Sequence, residues 1–241
     1  MPPDEAVRDR CRANLAAVAG RAAEACRRAG RSPGDVTIVA VTKYVGAETA
    51  RLVAEAGCLD LAESRPQQLW SKAEALADLV PAPRWHLVGH LQRNKIRRTL
   101  PHLALLHSLD SRRLLEALEA EAAAAGRPCA ALVEVNLTDD PGRTGATPAE
   151  AEAIVAAAGG SDRVVIRGLM GMAGVPDGDA GAARRDFARL RELRDRLVAT
   201  APGGAGLREL SMGMSGDFEA AILEGSTMVR IGSALFEGLP R

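Results

Sequence analysis

Strand-like and helix-like segments alternate along this chain from residue 36 to its end, and nothing else in it constrains the fold as tightly. Apolar, β-branched or turn-bounded stretches suited to strands fall at 36–42, 58–62, 85–89, 104–109, 130–136, 164–170, 207–212 and 227–232. The strongest, Val36-Thr37-Ile38-Val39-Ala40-Val41-Thr42, reads as a strand buried on both faces, as in a parallel sheet. The second and seventh rest on spacing more than on propensity. Between the strands, residues 111–125 start at a Ser111 cap and stop before Gly126. Thr147-Pro148-Ala149-Glu150 is a capping box opening a helix to about Ala158. Residues 180–199 carry Phe187, Leu190, Leu193 and Leu197 as an apolar stripe. Strand then helix, eight times over, predicts an α/β fold: a single (β/α)8 TIM-type barrel over residues 1–241, with an additional N-terminal helix within 1–30 packed on it. An open doubly wound sheet is the competitor. It would show a glycine-rich first turn, whereas the first strand here runs into Lys43-Tyr44-Val45-Gly46.

Composition narrows the class. With 47% of 241 residues hydrophobic, the chain can bury a full core. Lys+Arg and Asp+Glu both number 31, which leaves no net charge to favour nucleic acid or an acidic membrane. Cys11, Cys26, Cys58 and Cys129 show no CxxC spacing, which argues against zinc and disulfides and suits a reducing cytoplasm. No apolar run approaches the roughly 20 residues that span a bilayer, and Asp4 and Glu5 stand where a signal peptide would be apolar. A cytoplasmic monomer that binds neither nucleic acid nor membrane is expected.

Barrels of this type carry their active sites at the carboxyl ends of the strands. Lys43 closes strand 1, where an apolar surround would desolvate its amine and favour the free base that a Schiff base with an aldehyde needs. The alternative is a lysine snorkelling to solvent. After strand 7, Ser215-Gly216-Asp217 reads as a helix start whose free amides face an anion; after strand 8, Gly232-Ser233 offers a second small-residue turn. Taken together they favour a phosphate, although each alone is also an ordinary cap or turn. Arg230 lies two residues before Gly232. It is placed either to bond a pyridine nitrogen or to pair with a carboxylate such as Glu134. A lysine, a phosphate cradle and an arginine beside it suggest pyridoxal 5′-phosphate.

Other strand-end residues leave alternatives open. His90 either faces the cofactor or caps a helix over 92–100, and His86 reads as a packed core histidine. Met170, Met172, Met212 and Met214 are either core or an apolar bed for a ring. Arg93, Lys95, Arg97 and Arg98 read as a solvated basic face, without the interleaved aromatics of an RNA site. A metal- or sugar-phosphate-binding barrel would need clustered carboxylates, for which only Glu63 and Glu134 qualify.

Val39-Ala40-Val41-Thr42-Lys43, the segment from His86 to Lys95, the segment from Leu210 to Asp217 and the segment from Ala220 to Phe236 resemble the pyridoxal phosphate homeostasis protein family over nearly the whole chain. The resemblance implies a barrel like the alanine racemase N-terminal domain. It also implies cofactor held as an internal aldimine on Lys43, with Ser64, His90, Met212, Ser215, Gly216, Arg230, Gly232 and Ser233 around it. The family is described as an intracellular carrier without robust catalytic activity, passing cofactor to apoenzymes. This chain departs from its pattern at Leu61-Ala62-Glu63-Ser64, where the family commonly has Phe-Gly-Glu-Asn. It departs again in the loop 137–145, where Arg143 stands near the place of a basic residue.

A small amino-acid racemase would share the same lysine linkage. It would also need a second acid/base group across the substrate from the lysine. Tyr44, the one tyrosine, follows Lys43 directly, so strand alternation would aim it elsewhere. The carrier is therefore favoured over the racemase.

Overall fold

Eight parallel strands close into a barrel in the order β1 to β8, each bonded to its sequence neighbour and β8 to β1. This is the architecture of a computed structural model that describes residues 5–138, 140, 142–174 and 180–239. The strands are β1 (Thr37–Val41), β2 (Asp60–Glu63), β3 (Arg84–Leu87), β4 (Leu103–Leu109), β5 (Cys129–Val135), β6 (Val164–Gly171), β7 (Glu209–Ser211) and β8 (Met228–Ile231). The helices are α1 (Glu5–Arg28), α2 (Ala47–Glu55), α3 (Pro66–Ala75), α4 (Ile96–Thr99), α5 (Arg112–Ala125), α6 (Pro148–Ala158), α7 (Ala180–Thr200) and α8 (Phe218–Leu223). The caps behave as their sequences predict. The Ser111 hydroxyl accepts from Leu114 N, Gly126 takes the left-handed conformation at φ 61°, and Thr147 and Glu150 form a reciprocal capping box. No helix among the described residues is long and apolar enough to cross a membrane.

The additional N-terminal helix expected from sequence is present as α1. Among the described residues no helix follows β8; the chain continues in turns to Leu239. α1 packs between α8 and α2 and so takes a place in the outer ring. Its buried residues Cys11, Val18, Ala22, Ala25 and Cys26 recur at helical spacing. Asn14 Nδ2 also donates to the carbonyls of Leu235 and Glu237, at 3.1 and 2.9 Å, which ties α1 to the segment after β8.

Alternation along the strands separates two cores. One face of each strand, with residues such as Leu61, Leu87, Leu106, Val133, Leu169 and Ile231, packs against the helices in one continuous apolar cluster. The other face fills the barrel interior. Its apolar content is a small separate cluster of Leu105, Leu132 and Met170, with Ala130 and Met228 against it. Much of the rest of the interior is polar, with Asp60, His86, His107, Glu134, Ser211 and Arg230 all buried. Barrel interiors are usually filled by branched apolar residues, so these polar side chains need partners.

Candidate functional site

At the carboxyl ends of the strands lies a cavity of about 1270 Å³, larger than the usual small-ligand pocket of roughly 300–1,000 Å³. Lys43, Ser64, Ser215, Gly216, Arg230, Gly232 and Ser233 line it, so seven of the nine residues expected from sequence stand together. Lysine occurs three times in the chain, at 43, 72 and 95. Only Lys43 lines this cavity.

Lys43 is not held as its strand predicts. β1 ends at Val41, and Lys43 lies in the following turn with its side chain exposed. The reason is the residue before it. Thr42 is fully buried, and its hydroxyl donates to Glu63 Oε1 at 2.6 Å while its amide donates to the Ala62 carbonyl at 2.8 Å. Lys72 reaches in from α3, donating to the Thr42 carbonyl at 2.8 Å and to Glu63 Oε1. The peptide leading into Lys43 is thus fixed by a buried ion pair, while the lysine side chain itself is free to reach across the cavity. Glu63 therefore faces Lys72 and not the mouth, and offers nothing to a metal or sugar phosphate. Its Oε2 is the one buried side-chain polar atom among the described residues without a partner.

Tyr44 also departs from the alternation expected of it. Strand alternation does not extend into the turn, so Tyr44 lines the same cavity, 73% exposed, with the Lys43 ammonium 4.8 Å from its ring centre.

The residues expected to cradle an anion lie in turns and not at a helix start. α8 begins only at Phe218, and residues 215–217 form a turn closed by Met214 N donating to Asp217 Oδ1 at 2.6 Å. Ser215 does not cap that helix. Its hydroxyl oxygen accepts from Gly232 N and Ala234 N, both at 3.3 Å, which clamps the loop after β7 to the loop after β8. The amides of Ser215, Gly216 and Ser233 have no partner among the described residues. Three open amides beside one cavity are a donor set that suits a phosphate. Gly213, at φ +93°, permits the turn, since a Cβ there would meet Phe218 Cα at 2.9 Å.

Arg230 is buried in the wall, and its carboxylate alternative is not its partner. NH1 donates to the Ser211 carbonyl at 2.6 Å and to Ser211 Oγ at 2.8 Å, and NH2 donates to the Gly171 carbonyl at 3.0 Å. Glu134 instead accepts from the Thr144 hydroxyl at 2.6 Å, and burial raises its pKa. Burial also lowers Arg230 to about 10, which still leaves it charged near neutral pH.

Two expected residues stand apart. His90 lies in a neighbouring polar depression with Asp110, Nδ1 to Oδ2 3.7 Å, alongside Arg93 and Arg113. Met212 is fully buried, and Met214 and Met172, both about 40% exposed, take the cavity instead. Arg143 donates to the Ala173 carbonyl at 3.2 Å and does not line the cavity, while Asp139 and Pro141 of its loop lie outside the described residues. The apolar lining contributed by Val41, Val45, Val88 and Phe236 was not anticipated. Of these, only Val41 and Val88 sit at strand ends where spacing could have flagged them.

The family model for the alanine racemase N-terminal domain matches residues 13–240. The pyridoxal phosphate homeostasis protein of Pseudomonas aeruginosa is 38% identical over 223 residues, covering 92% of this chain and 93% of that protein. Among solved structures, PipY of Synechococcus elongatus with PLP bound superposes with a TM-score of 0.82 at 34% identity, covering 94% of this chain and 99% of that one. An unknown protein from Bifidobacterium adolescentis superposes with a TM-score of 0.88 at 36% identity, covering 97% of each chain.

Proposed function

The chain belongs to the pyridoxal phosphate homeostasis protein family, and from that premise we propose that it binds pyridoxal 5′-phosphate at the barrel mouth and serves its homeostasis in the cell. The observation that carries the reading is the donor set around one cavity: a single lysine, three open turn amides and a buried arginine. Each suits a different part of the cofactor. Lys43 Nζ faces the aldehyde and joins it as a Schiff base with loss of water. The amides of Ser215, Gly216 and Ser233 take the phosphate, and Arg230 faces the ring nitrogen as a donor that cannot supply a proton near neutral pH. Met172, Met214 and Tyr44 offer apolar and aromatic surface to the ring. The bound aldehyde supplies a reversible electrophile for amines.

The finer reading is a carrier that releases cofactor to apoenzymes. Lys43 is exposed in a turn, so an incoming amine can reach the linkage and exchange with it. Tyr44 stands beside Lys43 and not across from it, which gives a racemase no opposed acid/base pair from these two residues. The test is to load the protein and mix it with an apo-enzyme that needs pyridoxal phosphate. Recovery of that enzyme's activity faster than with the Lys43→Ala variant supports the carrier. Conversion of L- to D-amino acids by the loaded protein, without such transfer, would replace it with the racemase.

A further inference from the structure

Arg230 is one end of a hydrogen-bonded chain that runs through the barrel interior, away from the mouth. Ser211 Oγ, which accepts from Arg230, lies 2.9 Å from His107 Nδ1. His107 Nε2 lies 2.8 Å from His86 Nδ1, and His86 Nε2 lies 3.1 Å from Asp60 Oδ1. Asp60 opens β2 at the other end of the barrel, where Arg84 grips it through Nε at 2.7 Å and through NH2. Ser211, His107, His86 and Asp60 come from β7, β4, β3 and β2, and all four are buried.

Proton roles in this chain follow from its two ends. Arg230 can only donate, and the Asp60 carboxylate, held at a pKa of about 2, only accepts. Ser211 Oγ accepts a hydrogen bond from the guanidinium, so its own hydroxyl donates to His107 Nδ1. That leaves Nε2 as the donor of His107, directed to His86 Nδ1, and His86 Nε2 as the donor to Asp60. Burial beside His86 and Arg230 keeps His107 uncharged, in line with this order. Run the other way, His107 Nδ1 would donate to Ser211. The serine proton would then face only the donors of Arg230.

We propose that Ser211, His107, His86 and Asp60 are positioning residues for Arg230, a one-way hydrogen-bonded chain that fixes the guanidinium as a donor toward the ring nitrogen of the bound cofactor. The proposal rests on the cofactor reading for its last link, but the chain itself belongs to the protein alone. Ser211 is the joint, since it holds Arg230 by both its carbonyl and its hydroxyl. An unanchored guanidinium would share the nitrogen with water, and the nitrogen would gain access to a proton.

The first measurement needs no cofactor. Nitrogen-15 NMR of the histidine side chains in the wild-type protein should show His86 and His107 both as Nε2–H tautomers. An Nδ1–H tautomer or a doubly protonated ring at either position would overturn the proposal, even if no variant folds. The second uses pyridoxal phosphate labelled at its ring nitrogen. Wild type should give an unprotonated nitrogen, whereas Ser211→Ala and Asp60→Asn should move it toward the protonated shift. Binding by Ser211→Ala should weaken on the order of tenfold, as for one lost charge-assisted hydrogen bond. Ser211→Thr, which keeps the hydroxyl, should restore both. Folded variants with a lower melting temperature but wild-type nitrogen shift and affinity would show a structural role only and overturn the proposal. Failure of wild type to bind the labelled cofactor would sink the cofactor reading instead and leave the tautomers to judge the chain.

Discussion

Lys43, in the turn after β1, and Arg230, on the neighbouring strand β8, serve one cavity, with Val39 of β1 opposite Arg230 in register, yet they are held in opposite ways. Arg230 is locked: its guanidinium is buried, meets three acceptors, and backs onto a polar chain that reaches the far end of the barrel. Lys43 is loose, with its amine in the open cavity and only the peptide before it pinned by Thr42, Glu63 and Lys72. The contrast fits the two tasks proposed for them. A group that tunes a ring nitrogen works best when it cannot move, and a group that must form and release a covalent bond needs room. Each support lies behind its residue rather than in the cavity, so each can be attacked without touching a proposed cofactor contact.

The largest effect is expected behind Lys43. Lys72→Met leaves Glu63 as an unpaired buried carboxylate, which should cost about 3–5 kcal/mol of stability in urea unfolding. Replacing both partners, as Glu63→Leu with Lys72→Met, should cost clearly less than Lys72→Met alone, because no charge is then stranded. Equal losses would mean that the pair is not the anchor of that turn.

A smaller effect is expected behind Arg230, and it depends on pH. Burial alone would raise the Asp60 pKa, but hydrogen bonds from His86 and Arg84 overcome it and hold the carboxyl at about 2, against 3.8 unperturbed. A depressed folded pKa means that the stabilisation is fully present above the unfolded value and is lost as pH falls through the folded one. The shift corresponds to about 2 kcal/mol. The stability advantage of wild type over Asp60→Asn should therefore hold near neutral pH and shrink between pH of about 4 and about 2. A constant difference across that window would contradict the assignment.

Much of the barrel can be read in the sequence, because buried parallel strands need apolar runs and helices need caps. The runs at 36–42 and 164–170 and the caps at Ser111 and Thr147 all lie where those needs put them. Misreadings gather where a periodic rule is carried past the element it describes. Alternation hid Tyr44 because β1 stops at Val41, and the helix start expected at Ser215 moves to Phe218 because Ser215 is spent on the neighbouring loop. The interior chain was the least visible part. His107 and Ser211 are 104 residues apart, and nothing local to either shows that closing the barrel makes them partners.

Lys43, and no other lysine, is proposed to carry the cofactor. Reducing the loaded protein with borohydride fixes a Schiff base in place, and peptide mass spectrometry then reports which of Lys43, Lys72 and Lys95 is modified. The pyridoxyl group is expected on the peptide containing Lys43 and should disappear in Lys43→Ala. A pyridoxyl group on Lys72 or Lys95 in wild type, or reduced protein that carries none, would contradict the proposal.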